Sequence, residues 1–324
     1  MNILKIVRIF FKVKFFRNKI PIFVGWDLTY RCNFNCQYCK IPKLDTDREL
    51  STDKVLKMID QFSKLGVCRI HFGGGEVLLR DDLDQILKFC KKRNIYTVIL
   101  TNGALFEAKI PVIKKANLIK VSFDGPAKIH DNLRHKGSYS QIVKVLVLAK
   151  KLKIKVTLSA TLTRKNYEYI DYILDFAKEN RTPVKFQLVN EFLSGSKDIA
   201  NLKLSREQQQ KAMGKLLKEK KRSGYIINSK NALEYMRDYP NVKNLCCTAG
   251  KLYVRVSVDG RLYPCEILKD EFLKNTSFEK DIGKSFKVLK NVNCKYCLCT
   301  TTLELNQLFS LNLNAIFNGL KYFS

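Results

Sequence analysis

Ile22-Phe23-Val24-Gly25-Trp26-Asp27-Leu28-Thr29-Tyr30-Arg31-Cys32-Asn33-Phe34-Asn35-Cys36-Gln37-Tyr38-Cys39 runs from an apolar, strand-like segment straight into a loop with three thiols. The thiols are spaced four and then three residues apart. Three thiolates from one short loop make a metal site, and soft sulfur selects zinc, copper(I) or an iron-sulfur cluster over oxygen-seeking ions. Structural zinc closes with four ligands, whereas a four-iron cubane held by three cysteines keeps one iron open.

Outward from this stretch, apolar strand-like runs alternate with amphipathic helical patterns. The strands read at 22-28, 67-73, 95-101, 117-123, 154-162 and 184-189, with helices near 52-65, 81-93, 106-115, 138-152 and 166-179. Val55, Ile59 and Phe62 keep the i, i+4, i+7 stripe of a helix with one buried face. Alternation of this kind forces a parallel sheet. The expected fold is α/β, a partial (β/α)6 TIM-like barrel. In parallel barrels the chemistry sits at the C-terminal strand ends. The cysteine loop follows the first strand, Gly73-Gly74-Gly75-Glu76 the second, Thr101-Asn102-Gly103 the third and Ser122-Phe123-Asp124-Gly125 the fourth, so every unusual loop falls on one face.

Beyond residue 190, Ser194-Gly195-Ser196 reads as a loop and 205-222 as a charged, exposed helix. Leu252 to Val258 alternates apolar and polar residues up to Asp259-Gly260, a dipeptide suited to a hairpin turn, and Arg261 to Pro264 returns. Cys247 precedes this hairpin, Cys265 ends it, and Cys294, Cys297 and Cys299 follow. The tail from 301 is apolar and compatible with a helix.

The chain has 324 residues, 46% of them hydrophobic, which is ordinary for a globular protein. Eleven cysteines, an odd number with two tight groupings, point to metal ligation in a reducing compartment, hence a cytoplasmic protein. Lys plus Arg is 59 against 30 for Asp plus Glu, a formal charge of +29. That field favours an anionic substrate, nucleic acid or a membrane face, unless the lysines simply solvate helix surfaces. No apolar run approaches the length needed to cross a bilayer. Residues 1-17 interleave bulky apolar and basic residues, with Lys5, Arg8 and Lys12 at helical spacing and no secretory cleavage pattern. They suit either a helix lying peripherally on the inner membrane surface or one packed over an end of the barrel.

Cys32, Cys36 and Cys39, with Tyr38 before the last thiol, resemble the cluster motif of the radical S-adenosylmethionine (SAM) enzymes. Gly74-Gly75-Glu76, Ser122, Asp124, His130-Asp131 and Arg134 resemble their later barrel motifs, with Val77 where the family usually has proline. Cys247-Thr248-Ala249-Gly250, Gly260 with four residues before Cys265, and Cys294-x-x-Cys297 resemble the SPASM/twitch auxiliary-cluster module, short of the full seven-cysteine pattern. The organisation then expected is a basic amphipathic segment at 1-20, the barrel at 21-200, a helical linker at 201-240, a small α+β iron-sulfur module at 241-300 and an apolar helix at 301-324.

The resemblance implies a 4Fe-4S cluster on Cys32, Cys36 and Cys39, with the SAM amine and carboxylate on the open iron. Reductive cleavage would release a 5'-deoxyadenosyl radical that abstracts hydrogen from, or adds to, an unidentified substrate. Flavodoxin or ferredoxin would be the electron donor. SAM would be held by Gly74, Gly75, Glu76, Asn102, Ser122, Asp124 and Tyr38. From the residues alone, Ser122 and Asp124 suit ribose or carboxylate binding or capping of the next element, and Tyr38 suits adenine packing or cover for the cluster. A second 4Fe-4S cluster is implied on Cys247, Cys265, Cys294 and Cys297, with Cys246 or Cys299 as alternative ligands and a zinc ribbon as the competing reading. Cys68 and Cys90 read as buried hydrophobes. His71, His130 and His135 lack metal spacing, and His71 suits core or barrel lining. No catalytic side chain is singled out. Basicity gives a preference for a lipid- or glycan-related substrate, with peptide (RiPP-type) maturation as the rival. The reading of another class is a non-enzymatic basic zinc protein that binds nucleic acid.

Overall fold

The computed structural model describes residues 19-44, 48-189, 197-242, 247-266, 269, 281-289, 292 and 297-309. Most of the amphipathic N-terminal segment, the Ser194-Ser196 loop, Cys246, Cys294 and the tail past 309 lie outside the described residues.

Six strands form where the alternation put them: β1 (Phe23–Thr29), β2 (Arg69–Gly74), β3 (Tyr96–Thr101), β4 (Leu118–Ser122), β5 (Val156–Leu162) and β6 (Val184–Leu188). They pair in parallel and in chain order. Helices α1 (Thr52–Leu65), α2 (Leu83–Lys92), α3 (Ile110–Ile113), α4 (Ala127–Leu133), α5 (Ser138–Lys151) and α6 (Ile170–Glu179) fill the crossovers. The helix expected at 106-115 shrinks to α3 because Pro111 sits in its first turn, where a missing N–H is tolerated only at the start of a helix.

Strand periodicity sorts the side chains into two layers. Val24, Trp26 and Leu28 of β1, Ile70 and Phe72 of β2, and Leu158 and Leu162 of β5 share one buried cluster with Val55, Ile59 and Phe62 of α1 and Ile142 of α5. The alternate positions, among them Gly25, Asp27, His71, Lys120, Ser159 and Lys185, face a cavity inside the curved sheet.

After β6 come α7 (Arg206–Arg222), opened by a Ser205–Gln208 capping box, and α8 (Lys230–Asp238). The expected hairpin forms from β7 (Tyr253–Val256) and β8 (Leu262–Tyr263), with Gly260 at φ +84° in the turn. Helices α9 (Ile282–Val288) and α10 (Thr300–Phe309) follow. The place of the hairpin was not legible in the sequence. β7 pairs in parallel with β1, Phe23 opposite Tyr253 and Trp26 opposite Val256, so the cysteine-bearing C-terminal region extends the barrel sheet. The open edge of β1 presents unpaired backbone donors and acceptors, and β7 satisfies them.

Trp26 is 1% exposed and packs edge-on against Phe62 and beside Phe72. Trp26→Ala is expected to cost about 3–5 kcal/mol of stability, read as a lower midpoint in denaturant-induced unfolding.

Candidate active site

The cysteine loop is held by the second strand end. Gly75 N–H donates to Thr29 O at 2.7 Å and Glu76 N–H to Arg31 O at 2.9 Å. The glycines are required by this contact. Gly74 has φ +102°, and a Cβ there would lie 2.3 Å from Thr29 O; one at Gly75 would lie 2.1 Å from Arg31 O. The close approach these glycines permit is thus to the chain's own backbone.

Glu76, 1% exposed, accepts from Leu78 N–H at 3.1 Å, Asn102 N–H at 2.8 Å and Thr101 Oγ1 at 2.9 Å. Burial pushes its carboxyl up despite these donors. The bond to Leu78 caps the turn over Val77–Leu79, so valine replaces the family's proline without opening the loop. Asn102 Nδ2 donates to Asn33 Oδ1 at 2.8 Å, which ties the cysteine loop to the end of β3 as well.

A second knot lies at the end of β4. Asp124, fully buried, accepts from Tyr38 OH at 2.5 Å and Arg134 Nε at 2.7 Å on one oxygen, and from Thr161 N–H at 2.8 Å on the other. The Arg134 guanidinium sits 5.4 Å from the Tyr38 ring centre. Tyr38 is thereby fixed from β4, across the barrel mouth from the strand that carries it. His130 Nδ1 accepts from Asp124 N–H at 3.0 Å, which places the imidazole proton on Nε2. Burial, reinforced by Arg134, lowers the His130 pKa to about 4. Arg134 belonged to a recognised motif without a role in the sequence, and Thr161 carried no signal at all.

Cys32, Cys36 and Cys39 are half-buried free thiols. Burial pushes all three up, Cys36 to about 12, and a bound metal cation would displace their protons. Among the described residues, no three His, Cys, Asp or Glu side chains converge as ligands of one ion. A cubane uses one thiolate per iron and needs no such convergence, so three soft donors on one loop fit it. Cys39 lines the cavity, which places that donor set at the lumen.

The second thiol set is also partly assembled. Cys247 and Cys265 pack with Ala249 and Val292. Burial raises the Cys297 pKa, and the nearby thiols of Cys299, Cys247 and Cys265 raise it further. The thiols of Cys299, Cys247 and Cys265 therefore each lie within electrostatic reach of Cys297, and thiolates are the donors a second cluster would use. Cys299 accepts from Thr302 Oγ1 at 3.4 Å and lines the same cavity as Cys39. Cys68 and Cys90 are buried, and burial alone pushes Cys90 up to about 12.

The cavity has a volume of about 290 Å³. Ser122 and His71 line it, so His71 takes the lining role. On the β1–β7 side, Asp27 accepts from Arg255 Nη2 at 2.5 Å, Tyr263 OH at 3.2 Å and Lys269 Nζ at 3.4 Å. Burial opposes the charge on Asp27, but Arg255 and Lys269 outweigh it and hold the carboxyl below its usual range. Glu266, next to Cys265, joins through Arg255 at 2.9 Å. Lys269 lies 4.8 Å over the Tyr30 ring. This network binds the loop bearing Cys265 to the strand that leads to Cys32.

Residues 26-177, which include the cysteine loop, the glycine seam and the Asp124 knot, match the Radical SAM superfamily. Those residues form a radical SAM domain. The chain that carries it is 30% identical to the Fe-coproporphyrin III synthase of Methanosarcina barkeri over 212 residues, 63% of the chain and 53% of the synthase. It is 29% identical to the PqqA peptide cyclase of Granulibacter bethesdensis over 251 residues, 74% of the chain and 66% of the cyclase. It thus spans between half and two thirds of the length of these two relatives. Among solved structures it resembles Streptococcus suis SuiB bound to precursor peptide SuiA, with a TM-score of 0.69 at 16% identity over 87% of this chain and 67% of that one. It also resembles anSMEcpe with bound AdoMet and Kp18Cys peptide, with a TM-score of 0.65 at 17% identity over 92% of this chain and 99% of that one. At these identities the structural likeness shows the fold, the parallel-stranded partial barrel.

Two outcomes follow from the geometry. Gly75→Ala forces its Cβ against Arg31 O and is expected to displace the cysteine loop at a cost of about 1–3 kcal/mol. Iron bound after anaerobic reconstitution should fall while far-UV circular dichroism stays native. For His130, a depressed native pKa means the unfolded chain takes up a proton first as pH drops. Its contribution is complete above pH 6.5 and lost as pH falls to about 4, a loss of about 3 kcal/mol. Denaturant unfolding of the metal-free protein across this range should show that slope, and His130→Gln should flatten it.

Proposed function

We propose that this radical SAM enzyme modifies a peptide, with a 4Fe-4S cluster on Cys32, Cys36 and Cys39 and SAM beside it in the lumen. The observation that carries the reading is a single cavity walled by both Cys39 and Cys299, one residue from each thiol set. When bound, the cluster supplies the electron that splits SAM into methionine and a 5'-deoxyadenosyl radical, which takes hydrogen from the substrate.

The chain's own residues do the positioning. The Gly74-Gly75-Glu76 seam fixes the cysteine loop, and the Asp124 knot presents Tyr38 and Arg134 at the mouth. Arg134 lines the cavity and offers a guanidinium to a carboxylate there. Ser122 offers a hydroxyl beside it, whereas both Asp124 oxygens already accept from Tyr38, Arg134 and Thr161, which gives Asp124 a supporting role. Leu100, Ile41, Leu188 and Val189 give the cavity apolar walls, which keep water from a reactive radical. A second cluster on Cys247, Cys265 and Cys297, with Cys294 or Cys299, would face the same space. Flavodoxin or ferredoxin remains the electron donor we propose.

Support for a peptide comes from relatives whose names include PqqA peptide cyclase and from neighbours solved with peptides bound. The lipid or glycan preference rested on basicity and on an N-terminal segment mostly outside the described residues, and the relatives move the weight to peptide. The radical SAM domain likewise displaces the zinc and nucleic-acid reading.

Anaerobically reconstituted, reduced protein should convert SAM to 5'-deoxyadenosine, and Cys36→Ala should abolish the conversion. Zinc in place of iron, or no 5'-deoxyadenosine, would overturn the assignment. A pool of synthetic peptides should stimulate the cleavage more than oligosaccharides or lipid vesicles do; the reverse ranking would reject the peptide reading.

A further inference from the structure

One face of α10 is turned toward the second thiol set. Leu303 N–H donates to Cys299 O at 2.8 Å, so the helix winds regularly from Cys299 onward. Thr302 and Asn306, three and seven residues further on, come round to the side that Cys299 occupies. Thr302 Oγ1 donates to Cys299 Sγ at 3.4 Å, and Thr302 and Asn306 are each 1% exposed. Glu304, on the opposite face, accepts from Ser229 N–H at 2.9 Å and fixes the helix to the start of α8.

Asn306 is held by the residue next to a thiol. Its Oδ1 accepts from Thr248 N–H at 2.8 Å and from Thr248 Oγ1 at 2.7 Å, and Thr248 follows Cys247 directly. A backbone N–H can only donate, so the amide oxygen is the atom on Thr248 and the other arm of the amide is the nitrogen. Nδ2 carries two hydrogens, is buried, and finds no acceptor among the described residues. Such a donor is costly inside a protein, and native interiors rarely keep one. Beside Thr248, Cys247 packs against buried Cys265, Ala249 and Val292.

We infer, on the reading of Cys247, Cys265 and Cys297 as ligands of a second cluster, that Asn306 donates from Nδ2 to a sulfur of that cluster beside Cys247 and raises its reduction potential. Sulfide and cysteine thiolate are the acceptors this amide lacks. Hydrogen bonds to those sulfurs favour the reduced state, because they stabilise its added negative charge. Thr248 sets the direction: with both of its donors on Oδ1, the amide cannot exchange its two arms. Asn306 therefore tunes the site without being a ligand of it.

The test uses full-length protein reconstituted anaerobically with iron and sulfide. A Cys32→Ala/Cys36→Ala/Cys39→Ala background leaves the second cluster as the source of the signal, and the protein is grown on asparagine labelled with heavy nitrogen at the side-chain amide. Pulsed electron paramagnetic resonance of the reduced cluster should show hyperfine coupling to that nitrogen. The coupling should vanish in Asn306→Leu at unchanged iron content, and the midpoint potential of this variant should fall by about 59 mV, a tenfold shift of a one-electron equilibrium. Asn306→Asp keeps an acceptor for both Thr248 bonds but has no amide nitrogen; it serves if the leucine variant does not fold, and the coupling should vanish there too. An iron-loaded second cluster without coupling to labelled nitrogen, as expected if a buried water satisfies Nδ2, would overturn the inference alone. So would coupling that persists without Asn306, or a potential that does not move in Asn306→Leu. A second thiol set that binds zinc, or no iron, fails the reading of the cluster itself and takes the inference with it.

Discussion

Two backbone hydrogen bonds, from Gly75 to Thr29 and from Glu76 to Arg31, hold the end of β1 against the end of β2. The three cysteines follow within eight residues of that seam, so their positions depend on it. A cluster of fixed geometry needs donors that do not wander, and a loop pinned only at its ends would not provide them. Here the loop is fixed at its root by the glycine seam, at Asn33 by Asn102, and at Tyr38 by Asp124. Each tether comes from a different strand. The barrel therefore acts as a jig for the cysteine loop.

The lumen is organised by charge. Asp27 draws Arg255 and Lys269 together with Glu266 on the side where β7 joins β1, which couples the second thiol set to the first through one buried ion-pair network. Lys120 and Lys185 line the opposite wall. Such a network is weak evidence for stability, since desolvating the charges offsets much of their attraction. Its value is in orientation: removing one partner would strand the others in the interior.

Much of this was legible in the chain because it is written in local patterns. Strand alternation and the Val55, Ile59, Phe62 stripe located the barrel, and loop order brought Cys32, Glu76, Asn102, Ser122 and Asp124 to one end. Asp124 illustrates where such reading stops. A carboxylate after a strand suits a ligand or a cap equally, and only three-dimensional contact with Tyr38, Arg134 and Thr161 shows that its oxygens are used internally. The pairing of β7 with β1 joins segments from opposite ends of the chain, and no local pattern encodes it. Lys120 and Lys185 did leave a trace: each interrupts an apolar strand, Leu118-Ile119-Lys120-Val121 and Val184-Lys185-Phe186, at a position whose alternation points inward.

The central claim is that the Cys32, Cys36 and Cys39 loop holds a cluster with one iron open to SAM at the barrel mouth. Electron paramagnetic resonance of the reduced, reconstituted protein tests it most directly, with a Cys265→Ala/Cys297→Ala variant used to silence the second thiol set. Addition of SAM should change the g values and line shape of the remaining signal, as it would if its amine and carboxylate bound the open iron. A 4Fe-4S signal that stays unchanged at saturating SAM, or that persists when Cys32, Cys36 and Cys39 are replaced in this variant, would contradict the account.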